Sequence, residues 1–324
     1  MGSTTPSFAE LIQDTSPEWL PFVIISTFLM LGMIVLDVYT VIQHKKYSTK
    51  LPLQFISTVG ILQVFPFFAI MQFIGFLVPR AHDVTLFFTE AYESLSFVFF
   101  LKLVITYMGG KKITKSVLKG DVIHLNFPPI CCFFCLPSVK FTRKFFIFCE
   151  VLIGVYVFFC FFVGFVELIL TLDDSETYPS KFLTGLFGAV YHVVLVVLLF
   201  LAIYGLSGIY HSAEDKLKHR GILEKFLIYK VFTLSVKLED IILGTLVHHE
   251  VIDNEHFQYN EYFTAGLRTR HIYAFVVVIQ AMIAFPFAIK FYSTQDYAAV
   301  LDMEGSENTM VVDKKEGMAE VTEL

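Results

Sequence analysis

Long apolar runs alternate with short polar connections along this chain. Seven runs are long enough to cross a bilayer, at 19–42, 53–78, 84–107, 145–171, 182–209, 224–247 and 271–292. Each exceeds the roughly 20 residues a helix needs to span the hydrocarbon core. None shows the period-two alternation of a membrane strand, which excludes a strand barrel. A single such run fits a buried helix in a soluble core; seven punctuated by polar loops do not. The pattern predicts an all-α membrane protein, a seven-transmembrane helix bundle over 19–292, flanked by a short segment 1–18 and a tail 293–324.

Composition agrees. Of 324 residues, 56% are drawn from AVILMFWYC, 17% are charged and 37 are Phe. Soluble domains sit at about 45–50% apolar even with Gly included. This excludes a disordered chain, a nucleic-acid binder and an ordinary cytosolic enzyme. The first 18 residues carry Glu10, Asp14 and Glu18 but no Lys or Arg, so they lack the basic start of a cleavable signal. The first span is expected to act as its own insertion signal. The tail holds eight acids and two lysines with no apolar periodicity, which predicts disorder.

Charge is sorted along the chain, and the sorting sets orientation. Lys45, Lys46 and Lys50 follow span 1. Lys111, Lys112, Lys115, Lys119, Lys140, Arg143 and Lys144 join spans 3 and 4. Lys216, Lys218, Arg220 and Lys225 join spans 5 and 6, and Lys290, Lys314 and Lys315 lie at the C-terminal end. The alternate connections hold only Arg80, Lys181, Arg268 and Arg270. The N-terminus is therefore expected outside and the C-terminus in the cytosol.

The connection between spans 3 and 4 contains Phe127-Pro-Pro-Ile-Cys131-Cys132-Phe-Phe-Cys135-Leu-Pro137. Its prolines disfavour a helix, and its apolar, lysine-flanked character suits a segment at the membrane surface. Adjacent cysteines chelate poorly, and only His124 is near enough to help, which argues against zinc. Cys131, Cys132 and Cys135 read either as palmitate acceptors or as inert thiols. In the tail, Thr322-Glu323-Leu324 has the hydroxyl-x-apolar ending that adds as a strand to PDZ domains. Tyr297-Ala-Ala-Val300 has the form of a tyrosine-based sorting signal.

A charge at mid-membrane costs roughly 2.5–3.5 kcal/mol on insertion scales, so each one asks for a reason. Asp37, Lys102, Lys290 and Glu167 lie near span ends and can snorkel. Glu90, Glu93 and Ser94 fall on one face of span 3, at i, i+3 and i+4. Lys230, Thr233, Lys237, Asp240 and Gly244 fall within about 80° of arc on span 6. The two stripes overlap in depth, so an ion pair between the helices is possible. It serves either to lock two helices or to line a polar pathway or substrate cavity. Glu239 faces away from the stripe. In span 5, Gly185, Gly188 and His192 share a face; glycines there permit close helix contact, and a lone His more often hydrogen-bonds within packing than ligates. Pro66 and Pro286 predict kinks in spans 2 and 7. Gln63, Gln72 and Gln280 either line a cavity or bond neighbouring helices.

Three classes share seven spans. A G-protein-coupled receptor would end span 3 in Asp/Glu-Arg-Tyr and span 7 in Asn-Pro-x-x-Tyr; this chain has Tyr107-Met-Gly-Gly-Lys and Phe285-Pro-Phe. A seven-span zinc hydrolase needs several His at one depth, and only His192 lies well inside a span. No nucleophile–base or phosphate-binding motif points to an enzyme, and no motif calls for a cofactor. A transporter remains, with a receptor or membrane-trafficking protein without transport as the alternative.

Glu90-Ala-Tyr-Glu93 with its aromatic run, Tyr107-Met-Gly-Gly-Lys111, the Pro-Pro-x-Cys-Cys-x-x-Cys segment at 128–135 and Lys225-Phe-Leu-x-x-Lys230 occur in this order across the core. In these features the chain resembles the organic solute transporter alpha subunit, which is related to the transmembrane protein 184 group. The resemblance covers roughly 19–292. It implies facilitated transport of steroid-like organic anions such as bile acids, a plasma-membrane location, a single-span beta-type partner and palmitoylation of a Cys cluster, here shorter than usual. From the residues themselves, Phe-rich spans suit a sterol-like body. Lys237, Lys230 and His192 are the groups able to meet a carboxylate or sulfate, with Asp240, Thr233, Glu90, Glu93 and Ser94 around them. An epitope at residue 3 should label on intact cells and one at residue 320 only after permeabilisation; the reverse would overturn the orientation or the span count.

Overall fold

Apolar runs become helices wherever the backbone ladder is uninterrupted, and the interruptions fall where the chemistry forces them. The computed structural model describes residues 20–111, 114, 122–123, 139–172, 180–217, 220–249, 251 and 265–297. The first span is α1, Leu20–Lys45. The second divides into α2, Pro52–Leu62, and α3, Val64–Leu77. The division falls at Gln63, because Pro66 has no N–H to offer the carbonyl of Leu62. The third is α4, His82–Tyr107, after a 3-10 turn at Pro79–Ala81. It stops at Met108, where Gly109 and Gly110 take positive φ values of 85° and 99°. That conformation lets their amides bond the carbonyls of Thr106 and Ile105, closing the helix end as glycine commonly does. The Met-Gly-Gly motif is thus a helix stop.

The fourth span opens on Thr142, whose side chain accepts a bond from the amide of Phe145. It runs as α5, Arg143–Phe158, a π turn, Phe159–Val163, and α6, Gly164–Leu172. Next come α7, Ser180–Leu217, and α8, Ile222–His248, joined through Gly221 at φ 58°. The last is α9, Ala265–Phe291, which runs through Pro286 without a break. Val122–Ile123 and Val139–Lys140 form a minimal antiparallel pair, β1 and β2, with Val122 opposite Lys140.

Helix α9 lies against α3, α8 and α1; α5 lies against α7; and α2 and α3 flank α4. The core is aromatic. Phe65 stacks near Phe232 and Phe285, and Phe100 meets Phe226 and Tyr229. Outward faces carry bare apolar side chains, such as Phe28, Val35, Phe158, Phe162, Val193 and Leu238, each more than half exposed. A surface of that kind suits lipid rather than water.

Six of the expected spans are helices long and apolar enough to cross a membrane; the exception is 224–247, inside α8. Helix α8 has 27 residues, as many as α9. What it lacks is apolarity, because Glu224, Lys225, Lys230, Lys237, Glu239 and Asp240 interrupt it. Its outward stripe of Leu223, Leu227, Val231, Leu238, Ile241 and Ile242 is exposed and apolar.

The tail does not begin as a disordered segment. Residues 293–297 fold back on the bundle and seat Tyr297 with no exposed surface. Its hydroxyl meets His44 Nδ1 at 3.1 Å and its ring stacks on Tyr47. A sorting signal beginning at Tyr297 is therefore masked in this arrangement. Composition suggested disorder because the acids of 298–324, outside the described residues, dominate the average.

One contact tests the packing of α2 on α4. A Cβ on Gly60 would stand 2.6 Å from the Phe99 ring, and the Gly60 carbonyl accepts a bond from the Tyr92 hydroxyl. Gly60→Ala should cost about 1–3 kcal/mol, read as a lowered unfolding midpoint in detergent, whereas an unchanged midpoint would contradict this packing.

Candidate functional site

The charges of α4 and α8 meet. Lys237 Nζ donates to Glu90 Oε1 at 2.7 Å and lies 3.7 Å from Glu93 Oε2. Both acids are buried. The i, i+3 spacing on α4 places the two carboxylates on one side of the helix, and Lys237 projects from α8 between them. Neither Glu93 oxygen receives a hydrogen bond among the described residues. Glu90 has a further partner, since the Tyr191 hydroxyl of α7 donates to its Oε2 at 3.0 Å.

Tyr191 is held in turn by the fourth span. Its ring stacks on Phe159, the first residue of the π turn, at 5.5 Å. Its hydroxyl would lie 2.9 Å from a Cβ on Gly164, the first residue after that turn. Glycine at 164 leaves the notch that admits the phenol. π turns recur at functional sites because they redirect a few side chains without ending the helix.

Two cavities reach Glu90, and the second of them also reaches Lys237. One, about 400 Å³, opens toward the N-terminal ends of α4 and α9, with His82, Asp83, Glu167 and Arg270 in its wall and Glu90, Tyr191 and Tyr273 deeper in. The second, about 580 Å³, lies between α7 and α8. Leu195, Leu199 and Leu234 line it beside Lys237, and the exposed Val196, Phe200, Leu238 and Ile241 form its outer edge. Glu90, Asp240 and Gly244 belong to both. A polar approach and an apolar one thus converge on the same carboxylate. One lysine and an apolar wall can hold an oxyanion and a hydrocarbon body together.

The remaining predicted residues are placed differently. Asp240 lines both cavities. Ser94 is buried, and its hydroxyl bonds back to the carbonyl of Ala91. Thr233 does the same toward Tyr229 and Lys230. Lys230 lies over the Phe226 ring, two helical turns from Lys237. None of these three lines either cavity. His192 follows Tyr191 on α7, but its side chain lies outside the described residues. So do Cys131, Cys132 and Cys135, and Thr322 and Leu324.

Two expectations about other polar groups resolve. Glu239 bonds Gln280 of α9. Gln63 donates to Asp37 of α1 at 2.5 Å, where the backbone breaks between α2 and α3. Among the described residues no three His, Cys, Asp or Glu are grouped to hold a metal.

Sequence patterning gives no sign of Tyr191, of Tyr273, of Tyr156, which lines the second cavity, or of the Ser96–Tyr229 bond. Aromatics are frequent throughout, and a pairing 101 residues away leaves no local trace. The Gly164 interruption of a Phe-rich run was the one available signal.

Comparison with known proteins gave one match. The family model described as organic solute transporter Ostalpha matches residues 22–297. No curated protein and no solved structure matched.

Gly164→Ala should displace the Tyr191 hydroxyl without touching a charge. It should therefore reproduce the defect of Tyr191→Phe, and combining the two should add little, because both remove one bond to Glu90. Additive losses of ligand affinity in that cycle would contradict the arrangement.

Proposed function

Since the chain belongs to the organic solute transporter Ostalpha family, a family of multi-pass membrane transporters, we propose that it carries amphipathic organic anions, steroid- or bile-acid-like, by facilitated diffusion. Lys237 is the cation that receives the anionic group. At rest Glu90 and Glu93 neutralise it, and the arriving anion competes with them. The apolar cavity between α7 and α8 takes the hydrocarbon body. The observation that carries this reading is the position of the Lys237–Glu90 pair where a polar and an apolar cavity meet. Asp240 borders the path, and Tyr191 fixes Glu90. Ser94, Thr233 and Lys230 support the helices more than they meet the solute.

In this reading α8 is the sixth of seven spans. Its charges are turned to partners on α4 and α9 while its Leu, Ile and Val stripe meets lipid. Seven crossings put the two termini on opposite sides, and the basic connections put the C-terminus in the cytosol and the N-terminus outside. The outer cavity, the one at the N-terminal ends of α4 and α9, then faces the exterior. The resemblance in sequence extends the proposal to the plasma membrane, to a single-span beta-type partner and to acylation of Cys131, Cys132 and Cys135. Residues 298–324 are proposed as an acidic cytoplasmic tail whose Thr322 and Leu324 fit a PDZ groove.

Uptake into vesicles of a radiolabelled steroid sulfate tests the site. A charge-assisted hydrogen bond contributes about 1.5–3 kcal/mol, so Lys237→Met should lower uptake by roughly 10- to 100-fold with surface abundance near normal. If the pair only locks two helices, the same change strands buried carboxylates at a cost of about 3–5 kcal/mol. Abundance then falls, and Lys237→Met combined with Glu90→Gln restores both abundance and uptake. Rescue of uptake by the double variant would sink the substrate-site reading; rescue of abundance alone supports it.

A further inference from the structure

A second buried lysine lies about 18 Å along α8 from the first, twelve residues at 1.5 Å each. Lys225 is more enclosed than Lys237, with 1% of its side chain exposed against 20%. Its Nζ donates to Asp296 Oδ2 at 2.5 Å, to the Arg220 carbonyl at 2.7 Å and to the Tyr107 hydroxyl at 3.3 Å. It sits 4.9 Å from the centre of the Tyr107 ring. Tyr107 also donates to Asp296 Oδ2, at 3.2 Å. Arg220 donates to the Asp296 main-chain carbonyl at 3.2 Å and lies over the Tyr107 ring, 5.4 Å from its centre. One carboxylate is therefore held by an ammonium and a phenol, with a guanidinium on its backbone.

The geometry is that of an oxyanion site, and its occupant does not come from the bundle. Asp296 lies five residues beyond α9, on the segment that folds back across the helix ends. That segment is anchored by aromatic contacts. The Tyr292 hydroxyl donates to the Lys225 carbonyl, and Tyr297 meets His44 and stacks on Tyr47. The site closes the end of the bundle opposite the outer cavity, where α4 and α9 finish and α8 begins.

We propose that Lys225, Tyr107 and Arg220 form a second organic-anion site, and that Asp296 occupies it as a tethered resident ligand. The class of ligand follows from the occupant: a carboxylate, or a sulfate ester of similar size and charge. A buried lysine without an anion is strongly unfavourable, so Asp296 leaves only as another anion takes its place. Exchange of one for the other keeps Lys225 paired throughout and releases residues 293–297 from the bundle. The α8 helix then carries two lysines, each with a carboxylate that a solute anion can replace, one toward either end of the protein. This inference shares its ligand class with the transport reading but none of its residues.

Hydrogen exchange on the full chain, with a steroid sulfate as probe, tests it without any substitution. Saturating probe should speed exchange in 293–297 at least tenfold. Lys237→Met should keep that response, because the first site takes no part in it. Unchanged exchange in 293–297 would overturn the proposal. Equilibrium binding in the Lys237→Met background supplies the second arm. A short tether gives a competing group an effective concentration of millimolar order. Removing that competitor with Asp296→Asn should therefore tighten probe binding about tenfold, and Tyr297→Ala, which undocks the segment with every charge kept, should act in the same direction. Further addition of Lys225→Met should abolish the gain, and a gain that survives it would also overturn the proposal. If instead Lys237→Met transports like wild type, the transport reading fails while the Asp296 response still stands or falls by itself.

Discussion

Helix α8 can lie in an apolar medium only if its charges are met by other helices, and that requirement organises the bundle. Unpaired, each would cost several kcal/mol. Lys237 is met by Glu90 and Glu93 from α4, Glu239 by Gln280 from α9, and Lys225 by Asp296 from beyond α9. These partners fix the rotation of α8 about its axis. With that rotation set, Leu223, Leu227, Val231, Leu238 and Ile241 face outward and Phe226, Tyr229 and Phe232 face the core. The hydrophobic effect alone would not choose between these faces, since apolar residues lie on both.

The same pairing leaves space where pairing is used. Helix α8 lies along α9 but stands off from α7 beside Lys237, and the gap is the larger cavity. On the other side of Glu90, the missing side chain of Gly164, just after the π turn, leaves room for the Tyr191 hydroxyl. Glu90 is thus held by two bonds from two helices, whereas Glu93, one turn further on, faces Lys237 at 3.7 Å and receives no hydrogen bond among the described residues. A solute anion that reached Lys237 would meet the first carboxylate as competitor and the second as background charge.

Much of this was legible in the residues. Seven apolar runs mark the helices, and the one-face stripes on spans 3 and 6 place Glu90, Glu93 and Lys237 at matching depth from the sequence alone. Periodicity tells which face a residue occupies, but not which helix stands opposite. For that reason the pattern groups Ser94 and Thr233 with the site, although their hydroxyls turn back to their own helices. The pattern groups Lys230 with it too, although it lies two turns away over Phe226. Tyr191 and Asp296 escape the pattern for a related reason. Each acts on a group 101 or 71 residues away, and each is of a type common around it, an aromatic among aromatics or an acid at the head of an acidic tail. The Pro66 break was legible in kind, whereas its use, turning Gln63 to Asp37, needed the neighbouring helix.

Solute recognition at this site depends on Lys237 meeting negative charge rather than shape. The most direct measurement compares saturable binding of a steroid sulfate and of the same steroid with a free hydroxyl, in wild type and in Lys237→Met. In wild type the sulfate should bind at least about tenfold more tightly, the size of one charge-assisted hydrogen bond. In Lys237→Met that ratio should fall toward one, with binding of the free alcohol little changed. An unaltered ratio in the variant would contradict the account.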